Sequence, residues 1–327
     1  MVCNFALRQG PKWGSIMKLR SVLALGVAIS TLSLGLSAAA AKTIALVTIN
    51  QQALFFNQIN DGAKEAAKAA GVDLVIHNAN NVESSQNDAI ENYITQKVDG
   101  IILVAIDVNG VKPAVSAAKK AGIPVVAVDA QIPNGDNAAF VGVDNTAAGA
   151  EIGTFFADYV KKDMGGSAKL GVIGALNSFI QNQRLDGFKK SVVASGVKVT
   201  FLDTVDGQNK QDVALSAGEN LMTANADMST IYATGEPALI GAVSAVTAQK
   251  RTGKIKVFGW DLTAQSLKGI DEGWVAAVVQ QDPYGEGKLA VQTIMKIKAG
   301  ETVPPILDVP VTIVTKANVD KFRAMFK

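Results

Sequence analysis

Short apolar runs alternate with amphipathic segments along the chain from Lys42 onward. The runs are continuous, as in Gly-Ile-Ile-Leu-Val-Ala-Ile at 100–106, with no alternation of apolar and polar residues. Continuous runs are typical of strands buried on both faces of a parallel sheet that is covered by helices. The pattern predicts strands at 43–49, 73–77, 100–106 and 124–129, and helices at 56–70, 84–97 and 111–121.

The same alternation repeats in the second half of the chain. It predicts strands at 169–175, 198–202, 230–233, 255–260 and 275–279, with helices at 181–194, 212–224, 237–250 and 264–271. The tail adds a helix at 286–298, a strand at 309–314 and a short final helix. Each array spans about 100–130 residues, the size of one doubly wound lobe, and the join falls near 140–146. We therefore predict an α/β protein with two doubly wound parallel-sheet lobes.

The first 41 residues have the pattern of a leader that includes a signal peptide. Lys18 and Arg20 precede an uncharged apolar run at 22–36, and small residues follow at 37–41. We expect cleavage after Ala40 or Ala41 and a periplasmic protein. The alternative is a membrane anchor, but the run is shorter than the roughly 20 residues of a spanning helix. Translation could start at Met1 or Met17.

Composition and charge exclude several classes of protein. The formal net charge is +2 and the basic residues are scattered, which argues against a nucleic-acid partner. The chain has one Cys, Cys3, and one His, so we expect no disulfide scaffold and no metal site built from such residues. No Cys follows the apolar run, so no lipid anchor is expected there. We also expect no cofactor.

Polar side chains follow the predicted strands, where open parallel sheets bind their ligands. They are mainly amides and carboxylates, with one Arg and two neighbouring Phe residues, which suits a neutral solute rich in hydroxyl groups. The set comprises Asn50, Gln51, Gln52, Phe55, Phe56, Asn78, Asn80, Asn81, Asp107, Asp129, Asn177, Gln181, Arg184, Asp206, Gln208, Glu236, Asp261, Gln280 and Gln281.

Each of these residues also has a purely structural interpretation. Asn78, Asn80, Asn81 and Asp107 are equally typical of turns or helix caps. Asp261 is as consistent with a cap of the helix near 264 as with a binding site. Phe55 and Phe56 could belong to the core, and Arg184 lies on a predicted helix, where arginine is commonly a solvated surface residue.

The chain lacks the motifs of the enzymes that share this architecture. The turn after the first strand, at 50–56, has no Gly-x-Gly-x-x-Gly, and there is no phosphate loop with Gly-Lys-Ser/Thr. His77 has no Ser in a nucleophile elbow to accompany it, and we expect it to be a hydrogen-bonded residue at a strand end. We therefore predict that the chain is a binding protein and not an enzyme.

The chain from 42 to 327 resembles the ribose-type periplasmic binding proteins of bacterial ABC transporters. The resemblance is carried by the order and spacing of several motifs together. They are the run at 43–47 leading to Phe55 and Phe56, the run at 122–126 leading to Asp129, Arg-Leu-Asp-Gly-Phe at 184–188, Phe-Gly-Trp-Asp at 258–261 and Val-Gln-Gln-Asp-Pro at 279–283.

The resemblance implies a type I periplasmic binding protein whose lobes, joined by a hinge, comprise 42–144 with 282–308 and 145–281 with 309–327. In such proteins the aromatics sandwich a sugar ring and the polar residues bind its hydroxyls. Those roles fall to Phe55, Phe56, Asp129, Arg184, Asp261 and Gln281. The implied protein is a monomer that serves an ABC permease and its ATPase. A chemoreceptor is an alternative partner, and a cytoplasmic sugar-responsive regulator would need a helix-turn-helix in place of 18–41.

The chain departs from a ribose site at several positions. Ala53 stands where that site has Asn, Ala130 where it has Arg, and Asn209 where it has an aromatic, while an Asn expected near Gly235 is missing. A site that lacks the partners of particular hydroxyls discriminates against them. We therefore expect a monosaccharide or polyol other than ribose. Candidates to fill the gaps are Asn50, Gln51, Gln131, Gln181, Asn209 and Trp260.

Overall fold

The computed structural model describes residues 42–51 and 54–326. The predicted leader at 1–41, together with Gln52, Ala53 and Lys327, lies outside the described residues.

The described chain forms an alternating series of strands and helices. The strands are β1 (Thr43–Thr48), β2 (Asp73–Asn78), β3 (Gly100–Leu103), β4 (Val125–Val128), β5 (Ala139–Gly142), β6 (Ser167–Gly174), β7 (Lys198–Asp206), β8 (Thr230–Ala233), β9 (Lys256–Trp260), β10 (Val275–Gln280), β11 (Ile306–Asp308) and β12 (Thr312–Val314). The helices are α1 (Leu54–Ala70), α2 (Glu83–Gln96), α3 (Lys112–Lys120), α4 (Asn145–Asp163), α5 (Phe179–Ala194), α6 (Gln211–Ala224), α7 (Glu236–Ala248), α8 (Ala264–Glu272) and α9 (Pro283–Lys298), followed by a 3-10 helix at Val319–Phe326.

These strands form two six-stranded sheets with equivalent topology. The first has the order β11-β5-β4-β3-β1-β2 and the second the order β12-β10-β9-β8-β6-β7. All recorded strand pairs are parallel except β10 with β12, which is antiparallel. The predicted fold class, two doubly wound α/β lobes, is confirmed.

The continuous apolar runs are explained by the burial of both faces of each sheet. In β1, Ile44 and Leu46 enter one apolar cluster, whereas Val47 enters the cluster on the opposite face. In β9, Val257 likewise points into one core and Phe258 into the other. Because successive strand residues point to opposite faces, a strand covered by helices on both sides needs apolar residues throughout.

The chain passes between the two sheets at three connections, from β5 to α4, from β10 to α9 and from β11 to β12. The predicted lobe boundaries, 144/145, 281/282 and 308/309, fall in these connections. We call the parts of the chain on either side of these boundaries the first lobe (42–144 and 282–308) and the second lobe (145–281 and 309–326). That they move as units remains a prediction.

Several elements were not predicted from the sequence. Strand β5 overlaps the predicted join of the two arrays, and strand β11 has only three residues, two of them exposed. Helix α4 contains Gly149 and Gly153, which weaken a helical pattern, but both lie where α4 packs closely on α5. A Cβ at Gly149 would lie 2.2 Å from the carbonyl oxygen of Arg184. These glycines therefore serve the close approach of two helices.

Candidate functional site

Asp129 and Asp261 occupy equivalent positions at the carboxyl ends of β4 and β9. Both have a left-handed backbone, with φ of 65° and 61°. The backbone N–H of Asp129 donates to the carbonyl oxygen of Val141 at 3.1 Å, and that of Asp261 donates to Val279 at 2.8 Å. Each Asp is thus tied to the neighbouring strand by the same contact. A left-handed conformation in a non-glycine residue carries strain, which is common at binding sites.

Arg184, on α5, is held by contacts that fix its guanidinium group. Its Nε donates to Oδ1 of Asn145 at 2.8 Å, and its Nη1 donates to the carbonyl oxygen of Thr234 at 3.2 Å. Nη1 also lies 3.9 Å from Oδ2 of Asp261. The residue is only 5% exposed, so the alternative interpretation, a solvated surface arginine, is wrong. The close packing of α4 on α5 at Gly149 brings Asn145 and Arg184 together.

Asp261 is not the cap of α8, and its binding role stays a prediction. The N-cap of that helix is Thr263, which forms a capping box with Ser266. The carboxylate of Asp261 instead accepts a hydrogen bond at 2.8 Å from Nε2 of Gln281, a buried residue that follows β10. Gln281 therefore orients Asp261 beside Arg184.

Trp260 was expected to help fill the site, and the structure corrects this expectation. Its side chain has no exposed surface and belongs to the core of the second lobe, on the same face of β9 as Phe258. Its indole N–H donates to the hydroxyl of Tyr232 at 2.7 Å. The indole face lies under the guanidinium of Arg184, so Trp260 supports a candidate binding residue from the protein interior.

Gln181 occupies the space that the glycine at 235 leaves open. A Cβ at Gly235 would lie 2.9 Å from Nε2 of Gln181. Oε1 of Gln181 accepts hydrogen bonds from the hydroxyl of Thr234 at 2.7 Å and from the backbone N–H of Ala175 at 3.1 Å. Its Nε2 donates to Oδ1 of Asn209 at 2.9 Å. This network joins the ends of β6 and β8 with the turn before α6. Both the oxygen and the nitrogen of the Gln181 amide are therefore hydrogen-bonded within the protein.

The first-lobe candidates lie on α1 and in the turns around it. Phe55 and Phe56 are both partly buried against the first-lobe core, and their rings meet edge to face at 5.5 Å. Asn50 donates to Oδ1 of Asn81 at 3.2 Å. Gln51 and Gln131 have exposed side chains in turns. The structure brings the aromatic pair to the carboxyl end of β1, while their contact with a solute stays a prediction.

The carboxyl groups around Arg184 have raised pKa values. Burial raises the pKa of Asp129 to about 6, with a smaller contribution from Asp261 and an opposing one from Arg184. Burial also raises the pKa of Asp261, against the effect of Arg184. Glu236, at the start of α7, has its pKa raised to about 7 by partial burial and by Asp261. The cause shared by the three groups is burial, which withdraws water from each carboxylate.

Glu286 is a site-adjacent residue that the sequence analysis missed as a candidate. It lies in the first turn of α9, five positions after Gln281, and has no exposed surface. Both of its carboxyl oxygens are buried without a hydrogen-bond partner among the described residues. Burial, together with the charges of Asp129 and Asp261, raises its pKa well above the usual range. Asn145 and Thr234 were missed as well, although both follow strand ends, where the search for polar residues began.

Three other polar residues, Asn78, Asp107 and His77, have structural roles. Oδ1 of Asn78 accepts from the backbone of Asn80, and Oδ1 of Asp107 accepts from the backbone of Asn109. Both contacts are side-chain turns. His77 is hydrogen-bonded through Nε2 to the hydroxyl of Ser85 at 3.0 Å, as expected for a strand-end residue.

Two further observations concern only the part of the chain that the structure describes. No group of three or more His, Cys, Asp or Glu residues there is arranged to hold a metal ion. None of the helices there has the length and apolar character needed to cross a membrane.

Comparison with known proteins identifies the family. A family model described as a periplasmic binding protein domain matches residues 44–302. The chain is 28% identical to the ribose import binding protein RbsB of Haemophilus influenzae over 299 residues, which are 91% of this chain and 98% of the relative. It is 30% identical to a D-ribose/D-allose-binding protein of Pseudomonas aeruginosa, over 86% of this chain and 93% of that one.

A solved structure supports the same assignment. An ABC transporter solute-binding protein from Mycobacterium smegmatis with bound glycerol matches with a TM-score of 0.76 and 31% identity, over 86% of this chain and 96% of that one. These relatives are substrate-binding transport proteins and not enzymes. The chain therefore belongs to the periplasmic binding protein family, as a type I sugar-binding protein of ABC transport.

Proposed function

We propose that this protein is the solute-binding component of an ABC uptake system and binds a monosaccharide or polyol, other than ribose, between its two lobes. The observation that carries the proposal is the equivalent placement of Asp129 in the first lobe and Asp261 in the second, with Arg184 acting on both. Carboxylates accept hydrogen bonds from hydroxyl groups, and guanidinium donates to hydroxyl oxygens. The site therefore offers a hydroxyl-rich solute both kinds of partner.

Capture follows from contacts that exist only when the lobes close. A solute bound to Asp129 on one side and to Arg184 and Asp261 on the other favours the closed form through its differential affinity. A solute of about 10–12 heavy atoms needs about −8 kcal/mol for a micromolar dissociation constant, or roughly −0.7 kcal/mol per atom. Hydrogen bonds and contacts with Phe55 and Phe56 are sufficient for this without a metal or a covalent bond.

The substitutions at 130 and 235 support a solute other than ribose. Ala130 is a small buried residue that follows Asp129 and offers no side-chain donor. The space beside Gly235 is filled by Gln181, whose amide groups are bonded to the protein. The named ligands of similar proteins differ, with D-ribose and D-allose for one and glycerol for another. A change of solute within the family is therefore consistent with these differences.

The proposed partners are a permease and its ATPase in the cytoplasmic membrane, and the proposed location is the periplasm after removal of the leader. A chemoreceptor is the alternative partner for the same closed form. A cytoplasmic regulator is disfavoured because the segment at 18–41 has the pattern of a signal peptide. Neighbouring genes for a permease and an ATPase would support transport over chemotaxis.

A thermal-shift screen tests the proposal directly. The mature protein is first freed of bound solute by unfolding and refolding, and is then screened against pentoses, hexoses, deoxy-sugars and polyols. A solute at 100 times its dissociation constant adds about 2.7 kcal/mol to the stability. We expect at least one such solute to raise the melting temperature more than ribose does. If no polyhydroxylated compound stabilises the protein, the proposed function is wrong.

A further inference from the structure

The carboxyl groups of the site outnumber the positive groups that could balance them. Arg184 is the positive group that acts on Asp129, Asp261 and Glu286, and no other one does so among residues 42–51 and 54–326. Glu236 adds a further carboxyl near Asp261. A buried carboxylate without a compensating charge is costly, so this excess needs a physical reason.

Arg184 cannot balance the group, because it supplies one positive charge against four carboxyl groups. Its Nε and Nη1 donate to Asn145 and Thr234, and its face lies against Trp260. Nη1 is 3.9 Å from Asp261, and Asp261 also accepts from Gln281. The protein itself therefore stabilises the carboxylate of Asp261, in the second lobe, through Arg184 and Gln281.

Asp129 has no comparable support. No hydrogen bond to its carboxylate comes from any part of the chain that the structure describes. Glu236 begins α7 and Glu286 lies in the first turn of α9, so the positive ends of these helices offset part of their charge. Asp129 follows β4 and precedes a turn, without a helix terminus. Of these four carboxyl groups, Asp129 is therefore the one that has neither a helix terminus nor a hydrogen bond from the described residues to offset its charge.

A bound metal ion does not account for the excess. No cluster of three or more metal-ligating side chains occurs among the described residues, although four carboxyl groups act on one another here. The groups come from both lobes: Asp129 follows β4 and Asp261 follows β9, whereas Glu236 begins α7 and Glu286 lies in the first turn of α9.

We propose that the solute carries a protonated amine in addition to its hydroxyl groups, and that Asp129 is the acceptor of that amine. The proposal rests on the proposed function and narrows its solute to an amino sugar or an aminated polyol. An ammonium group has three donors and no acceptor, which matches carboxylates that accept only. Its positive charge also forms an ion pair with the carboxylate, an electrostatic attraction that a neutral hydroxyl group lacks.

Calorimetry with matched pairs of compounds tests the inference. The probes are D-glucosamine with D-glucose, D-galactosamine with D-galactose, and 1-amino-1-deoxysorbitol with sorbitol, all at pH 7.5. We expect at least one amine to bind about tenfold or more tightly than its neutral partner. If no amine in the panel is preferred, the inference is overturned. A neutral sugar or polyol that binds tightly would then leave the proposed function standing, whereas binding of no polyhydroxylated compound would remove both.

Variants locate the preference in the site. Asp129→Asn keeps the size of the side chain, and Asn tolerates a φ of 65°. We expect it to reduce the ratio of amine to neutral affinity by about tenfold or more. Glu236→Gln should reduce the ratio less, because Glu236 begins α7 and the positive end of that helix offsets part of its charge. Glu151→Gln, an exposed carboxyl on α4, is the matched control and should leave the ratio unchanged. An unchanged ratio in a folded Asp129→Asn protein would contradict the assignment.

Discussion

The guanidinium of Arg184 lies over the indole of Trp260, with Cζ 3.8 Å from the ring centroid. The indole N–H is bonded to the hydroxyl of Tyr232, whose ring stacks on Phe188 at 4.0 Å and 10°. Phe188 is one turn after Arg184 on the same helix, α5. The candidate binding arginine therefore rests on a buried aromatic column that is anchored to its own helix, which limits the conformations available to it.

Replacing Arg184 should reduce solute binding by about tenfold or more, because charged hydrogen bonds are worth about 1.5–3 kcal/mol. Arg184→Lys should lose affinity too, since an ammonium group cannot reproduce both the planar stacking and the forked donors. Isothermal calorimetry with the best solute from the screen measures both effects. Lys190→Ala, an exposed position on the same helix, is the control. Unchanged affinity in Arg184→Ala would remove Arg184 from the site.

The same variant should also be less stable, which differs from the expectation for a solvated side chain. Arg184→Ala leaves Oδ1 of Asn145 and the carbonyl oxygen of Thr234 without their donor. Each unsatisfied buried acceptor costs about 1–3 kcal/mol unless water replaces the donor. We expect urea unfolding of the solute-free variant to show a loss of about 1–3 kcal/mol. If the variant unfolds at the same urea midpoint as the wild type, water must reach both acceptors.

The space beside Gly235 provides a test of the Gln181 network. A Cβ at Gly235 would meet Nε2 of Gln181 at 2.9 Å, so Gly235→Ala should destabilise the protein by about 1–3 kcal/mol. In a Gln181→Ala background the added methyl group has room, and the cost should shrink. Urea unfolding of the single and double variants gives the coupling energy, and Gly253→Ala, with no atom within 4 Å of the added Cβ, is the control. Additive effects would show that the two positions do not compete for space.

The fold was predictable because the central strands of each sheet are buried on both faces. A run such as 100–106 has no polar interruption, and the polar residues that end it locate the carboxyl edge of the sheet. Helix α4 escaped prediction because its contact with α5 uses glycines, and glycine lowers the helical signal wherever the backbones come close. Those glycines are needed because residues of α5 lie against them, and the local sequence of α4 carries no information about α5.

The site was predictable in part for the same reason. Asp129 and Asp261 follow from the strand-end rule, and their equivalent backbone contacts reflect the equivalent topology of the two lobes. Both faces of β9 are covered by a core, and the sequence could not show that this burial extends to Trp260 at the end of the strand, so Trp260 was assigned to the solute although it lies in the core. Glu286 reads as an ordinary acidic residue in the first turn of a helix, and only its burial distinguishes it.

The leader prediction is tested by the mature N-terminus. The charged residues before the apolar run at 22–36 and the small residues at 37–41 predict processing by signal peptidase. Mass spectrometry of the protein from the periplasmic fraction should show a chain that begins near Ala41 or Lys42. Replacing Ala39 and Ala41 with bulky residues should cause the unprocessed form to accumulate. Recovery of soluble, full-length protein with its apolar segment from the cytoplasm would contradict the periplasmic location.

The raised pKa values of the site predict that the solute-free protein loses stability between pH 5 and pH 8. In the unfolded chain the carboxyl groups lose their protons near pH 4, whereas the pKa values of Asp129 and Glu236 are raised to about 6 and about 7 in the folded protein. The folded form therefore binds more protons than the unfolded form across this window, so the free energy of unfolding falls as the pH rises. Exposed carboxyl groups with lowered pKa values, such as Asp271, change the free energy of unfolding only at a pH below this window.

Glu286 should account for a large part of this loss, because its carboxyl group is fully buried without a partner beside Asp129, Asp261 and Asp282, with Arg184 as the opposing charge. Glu286→Gln removes the ionisable carboxyl group and keeps the shape of the side chain. The variant should therefore lose less stability than the wild type over the same pH range. Differential scanning calorimetry at pH 5 and pH 8 measures the difference, at roughly 2–4 °C of melting temperature per kcal/mol for a domain of 150–250 residues. The exposed Glu151→Gln variant should retain the wild-type slope. A melting temperature that rises from pH 5 to pH 8 would contradict the electrostatic account of the site, and equal slopes in Glu286→Gln and wild type would exclude Glu286 as its source.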